Sequence, residues 1–351
     1  MRRHSIGGVD DTGDMDRAKE IAGFLRSRRA GITPEQVGLP FDGRVRRVPG
    51  LRRDEVARLA GVSSEYYTRL EQGRAQNPSA EVVAAVAQAL RLDDTEREHL
   101  SDLLASGSKA GSGAGSGAFA GASTGSGSGG GAAGARRAPS RVQRVRPGLY
   151  LMLDTLDHVP AFILGRRTDV LAANRLARAI ITDFDALPAT RRNMARYYLL
   201  DPQARERVGD WEQLAAETVA MLRFEAGRYP HDKQLADLVG ELMLTCPEFT
   251  GWWNDHRVLR RTHGAKSYRH PLVGDLHFHY ESFQAPGDPE QTLCVYTVEP
   301  GSPSAEALRV LDSWTAPEPV RGPGASSEVP GDVPGGLRDD VPDGVPGRGL
   351  S

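Results

Sequence analysis

Two cysteines among 351 residues, Cys246 and Cys294, are too few for a disulfide framework, and each stands among apolar neighbours that suit a buried thiol. The chain has no run of about 18 apolar residues, so a membrane-spanning helix is not expected. Its first fifteen residues lack the apolar stretch of a signal peptide. These absences point to a reducing cytoplasm. Nucleophile elbows, phosphate-cradling loops and paired zinc-ligand motifs are also missing, and the acids of the second half show no spacing that singles out a catalytic pair. Neither an enzyme nor a cofactor is expected. Ample length remains for two domains, each able to bury its own core.

What is present is local and ordered. Between Arg52 and Gln72 the chain reads RRDEVARLAGVSSEYYTRLEQ. Val56, Ala57 and Ala60 recur at helical spacing, and Gly61 follows where a residue free to take positive φ can turn the chain. Val62 plugs the corner, and Ser63 or Ser64 suits the N-cap of a second helix. Tyr67 and Leu70 face back toward the first helix, which leaves Ser63, Ser64, Glu65, Thr68 and Arg69 outward. Polar side chains on such a helix can read base edges in a major groove. The same hairpin also occurs in proteins that never meet DNA.

Charge favours the DNA reading. The whole chain carries a formal charge of −2, yet Arg17 to Arg91 holds 14 Lys and Arg against 8 Asp and Glu. Arg44, Arg46, Arg47, Arg52 and Arg53 crowd the approach to the first helix, and Arg74 follows the second. These six are the expected phosphate contacts. A helix over Asp16 to Arg29, another after the Ser79 cap and a last one after Asp93 or Asp94 complete a five-helix head.

The run GLRRDEVARLAGVS followed by YYTRLEQGR, with LRSRRAGITPEQVGLP before it and PSAEVVAAVAQALRLDDTEREHL after it, resembles the xenobiotic-response-element class of bacterial helix-turn-helix regulators, and within that class its MmyB-like branch. The resemblance covers most of residues 17 to 105. It implies a transcription regulator that binds a double-stranded DNA operator.

Composition then changes abruptly. Ser106 to Ala135 is Gly, Ser, Ala and Thr interrupted only by Lys109 and Phe119. Such a segment buries too little to offset the entropy of ordering, so 106–140 is expected to be a flexible linker with a root-mean-square span of about 30 Å. Gly125, Gly127 and Gly130 match a dinucleotide fingerprint by spacing alone, with no strand before and no helix after, and are not read as one. Residues 1–15 and the Pro/Gly-rich 315–351 are likewise expected to lack fixed structure.

The domain between, 141–314, reads as α+β. Short strands are expected at Ala161–Leu164 and Val170–Ala173, then a helix capped by Asn174. Further helices are expected at Asp210–Ala226, Asp232–Thr245 and Pro247–Arg257. Alternation predicts strands at Ala265–Arg269, Leu276–Phe283 and Thr292–Val298, with the terminal strands meeting in one sheet under a helical cover. His277, His279 and Glu281 alternate onto one strand face near His256, His263 and His270. Any half-exposed strand alternates this way, and no metal site is assigned.

RPGLYLMLD, DVLAANRLA, CPEFTGWWNDHRV, HPLVGDLHFHYESF and VEPGSPSAEAL are similar to the C-terminal ligand-binding domain of the MmyB-like regulators. That resemblance implies a PAS-like fold with a cavity for a small apolar or amphipathic effector, a fatty acid among the candidates. Candidate walls are Tyr197, Tyr198, Trp252 and Trp253, and candidate carboxylate anchors are Arg196, Arg223, His256 and His270. The alternative is a domain that serves as a dimerisation or protein-interaction module without a ligand. A homodimer is expected in either case.

Overall fold

The computed structural model describes residues 11–39, 50–75, 77–105 and 143–316. The expected linker, nearly all of the C-terminal tail and Arg44, Arg46 and Arg47 lie outside the described residues.

Among the described residues of the head there are five α-helices: α1 Asp11–Ala30, α2 Arg53–Leu59, α3 Ser64–Glu71, α4 Ala80–Ala89 and α5 Asp94–Ala105. Helix α1 starts at Asp11, ahead of the expected Asp16, so the last part of the segment expected to lack fixed structure is helical. Caps set the other starts. Ser63 Oγ accepts from Tyr66 N at 3.1 Å, and Ser79 Oγ accepts from Val82 N at 3.3 Å. Before α5, Asp93 accepts from Glu96 N while Glu96 accepts from Asp93 N, a reciprocal capping box. Phe24, Leu25, Leu51, Val56, Tyr67, Leu70, Val86 and Leu100 are all fully buried in one core.

The C-terminal domain begins with α6 Pro147–Thr155, then β1 Ala161–Leu164, β2 Val170–Ala173 and α7 Arg175–Ile180. A helical cover follows: α8 Met194–Leu200, α9 Pro202–Arg207, α10 Trp211–Arg228, α11 Lys233–Thr245 and α12 Phe249–Asn254. Three longer strands, β3 His263–His270, β4 Gly274–Ala285 and β5 Asp288–Thr297, precede α13 Pro303–Thr315. The sheet is antiparallel throughout, in the order β2-β1-β5-β4-β3. As expected, first and last strands meet, with Phe162 opposite Cys294. This α+β arrangement is the PAS-like one that the resemblance implies.

Asn174 shows how one polar side chain fixes the entrance to this fold. Its Oδ1 caps α7 through Ala177 N at 3.0 Å and also accepts from Ala161 N at 3.1 Å. Its Nδ2 donates to the carbonyls of Leu156 and Val159. Although the residue is buried, its amide is satisfied on both ends, so its hydrogen bonds offset the cost of desolvation while joining β1, α7 and the turn after α6.

Helices α6, α8, α9 and α13 are not among the sequence expectations. Three of the four are nine residues or shorter, too short for periodicity to declare itself. Helix α12 ends before the expected Arg257 because His256 takes φ of 52° and turns the chain.

Candidate DNA-reading face and ligand cavity

Between α2 and α3 the chain turns at Gly61, whose φ of 66° lies in the left-handed region. Val62 N donates back to Ala57 O at 3.0 Å, closing the corner against a fully buried Ala57. On α3, Tyr67 and Leu70 are buried, whereas Ser63, Ser64, Glu65 and Arg69 are exposed and Thr68 is half-buried. The Thr68 hydroxyl donates to Ser64 O at 2.7 Å, so reading a base with it requires giving up that bond.

The expected phosphate contacts divide. Arg74 is exposed just past α3. Arg52 stands at the N-cap of α2, where its backbone N donates to Glu55. Arg53 is committed within the head: its Nε donates to Glu71 Oε1 at 2.9 Å, and Arg29 binds the same carboxylate at 2.8 and 3.2 Å. Burial pushes the Glu71 carboxyl up, but the hydrogen bonds and charges of Arg29 and Arg53 outweigh this and hold it below the usual range. Arg53 is therefore a structural partner of a buried acid, and its part in phosphate contact shrinks accordingly.

A cavity of about 280 Å³ opens between the sheet and α10. Phe162, Met194, Tyr198, Phe224, Tyr280 and Tyr296 give it apolar surface; Arg166, Arg228, Arg260, Arg261 and Lys266 line it against Glu225 and Glu290. Lys266 points its ammonium at three rings, those of Tyr198, Tyr280 and Tyr296, at 5.0–5.3 Å from their centroids. Its Nζ donates to Tyr296 Oη at 2.9 Å, and the Tyr198 and Tyr268 hydroxyls meet at 2.7 Å beside it. Burial, aided by the charge of Arg261, holds this amine well below the usual lysine range. Burial likewise pushes Glu225 up to about 7. Arg166 is engaged by Asp232 and Glu290, and Arg261 by Glu217. Among the described residues no three His, Cys, Asp or Glu side chains gather into a metal-binding group.

Two family models match. Residues 20–100 match a helix-turn-helix domain, and residues 145–311 match the MmyB-like transcription regulator ligand binding domain. This is a helix-turn-helix transcription regulator with an MmyB-like ligand-binding domain. Its domains are those of a DNA-binding regulator and belong to no enzyme family. No curated protein matches the chain. No helix of the described residues is long and apolar enough to cross a membrane.

Of the eight residues expected around the effector of this MmyB-like domain, only Tyr198 lines the cavity. Tyr197 is buried with its hydroxyl donating to Ile181 O, and Arg196 pairs with Glu241 on α11. Trp252 packs edge-on against Trp211. His270 is satisfied by Ala179 O and Leu272 N. The remaining three, Arg223, Trp253 and His256, gather where the two domains meet. Buried Arg223 pairs with Glu20 of α1, donates to Trp253 O and lies over the Trp253 ring. His256 stands against Gly23, so close that a Cβ there would collide with the imidazole.

This contact between head and ligand-binding domain is extensive. His99 of α5 is fully buried between Phe24 of α1, at 5.1 Å and nearly perpendicular, and Phe224 of α10. Phe224 and Val258 belong to the same buried cluster as the head's own core. Ser27 donates to Asp255 O at 2.9 Å, and Arg28 to His256 O at 2.7 Å. The docked surface uses α1 and α5, and α3 keeps its outward residues exposed.

Lys266, Tyr280 and Tyr296 of the cavity, and Tyr268 beside it, are not among the sequence expectations. Their signal was available: Lys266 and Tyr268 share one face of β3, and Tyr280 stands opposite Tyr296 across β4 and β5. Glu225, Arg228 and Arg260 carried no such signal, because only tertiary packing brings them to the cavity.

Proposed function

We propose that the cavity between α10 and the sheet holds a small amphipathic effector, and that this molecule governs the DNA binding of the head. A fatty-acid-like carboxylate fits: the apolar part lies along Phe162, Met194 and Tyr280, and the anion faces Arg228 and Arg260. The observation that carries this reading is a lining with five basic side chains and two acidic ones around an aromatic interior. Ser63, Ser64, Glu65, Thr68 and Arg69 read the bases of the operator, and Arg74 with Arg44, Arg46, Arg47 and Arg52 holds its phosphates. The regulator acts as a homodimer, since paired heads reach the two half-sites of an operator. Exposed Tyr150, Leu151 and Met152 on α6 support self-association through the C-terminal domain.

Native mass spectrometry of the full chain, compared with its denatured mass, tests the reading. A discrete bound mass that disappears on denaturation, on a doubled chain, is the expected result. A clean apo monomer that gains no mass with medium-chain carboxylates overturns it.

A further inference from the structure

We infer that Glu98 of the head and an anionic effector compete for the same two arginines, so that filling the cavity loosens the head from α10. The inference rests on the cavity reading above and adds a mechanism of regulation to it.

Arg228 and Arg260 line the cavity, yet their carboxylate partner comes from the other domain. Glu98 on α5 accepts from Arg260 Nη1 at 3.1 Å and stands 3.8 Å from Arg228 Nη1. The other cavity guanidiniums, Arg166 and Arg261, are bound by acids of their own domain. An arriving carboxylate can therefore displace Glu98 without breaking the ligand-binding domain's internal pairs. Arg260 is also held by Gln284 Oε1 at 2.9 Å, so it keeps its place when Glu98 leaves. Arg228 sits beyond hydrogen-bond reach of Glu98 and has a closer contact to gain.

Helix α10 ties this exchange to the docking of the head. Glu225 and Arg228 line the cavity, Arg223 and Gly227 meet the head, and Phe224 touches both. Two ligands that share one pair of donors bind with negative coupling, and the coupling is reciprocal: effector weakens docking as much as docking weakens effector. Glu20, Phe24 and His99 keep their own contacts, so the head loosens without detaching.

The test uses the full-length chain with decanoate and decanol as probes, in wild type and Glu98→Gln, read by titration calorimetry and by amide hydrogen exchange. Glu98→Gln should bind decanoate about fivefold tighter or more, with decanol affinity unchanged. Decanoate should raise exchange in α5 of the wild type, and Glu98→Gln should show raised α5 exchange before any probe is added. Equal decanoate affinity in both proteins with unchanged α5 exchange overturns the competition and leaves the cavity reading standing. Failure of both probes to bind either protein overturns both.

Discussion

Arg223 of α10 is buried and paired with Glu20 of α1, so a cation of one domain finds its anion in the other. Burial alone lowers the guanidinium to about 10. Removing only the acid leaves a desolvated charge. Glu20→Gln should cost about 2 kcal/mol in urea unfolding. Adding Arg223→Met to that variant should recover part of the loss, and the double-mutant cycle measures the coupling. Additive effects would show that water already serves both groups.

His99 makes the docked contact acid-sensitive. Burial first, then the charges of Arg28 and His256, push it down to about 3, and His256 is pushed down to about 4 by burial, Arg223 and Arg28. A histidine with a depressed folded-state pKa stabilises fully above its unfolded value of about 6.5, and that stability is lost as pH falls toward the folded value. From pH 7 to pH 5, His99 alone should account for about 2 kcal/mol of lost stability. The His99→Gln variant should show a correspondingly shallower dependence over this interval, measured by chemical denaturation at each pH.

Glu225 acts with the opposite sign. Its folded pKa is raised to about 7, chiefly by burial, so its contribution is complete below the unfolded value of about 4.5 and declines as pH rises through 7. Glu225→Gln should melt higher than wild type at pH 8 and alike at pH 4. Equal melting shifts at both pH values would mean that the carboxyl ionises without penalty.

On the DNA side, Arg69→Ala should relax sequence preference by about 1–3 kcal/mol at one operator position. Arg74→Ala should weaken all sequences alike and reduce the salt slope by about one. Arg53→Ala should lower stability, because it strips one partner from buried Glu71. Fluorescence anisotropy on cognate and scrambled duplexes at several salt concentrations, with melting curves, separates the three.

Local chemistry made the head legible. Gly61, the Ser63 and Ser79 caps and the inward Tyr67 and Leu70 each follow from spacing and turn stereochemistry within a few residues. Strand alternation likewise placed β3 to β5 closely, and short apolar runs placed β1 and β2. The cavity was not legible in the same way. Arg223 reads as a carboxylate anchor until α1 is laid against α10, and Arg53 as a phosphate contact until Glu71 is seen beneath it. Both assignments depend on pairings between residues far apart or buried, which charge and periodicity do not report.

The sharing of α10 also bears on engineering. A DNA-binding head from another regulator would arrive without Glu20, Gly23, Phe24 and His99, and would meet an orphaned Arg223 and an uncovered Phe224. Chimeras that retarget this protein should therefore keep the outer faces of α1 and α5 and exchange only the exposed residues of α3.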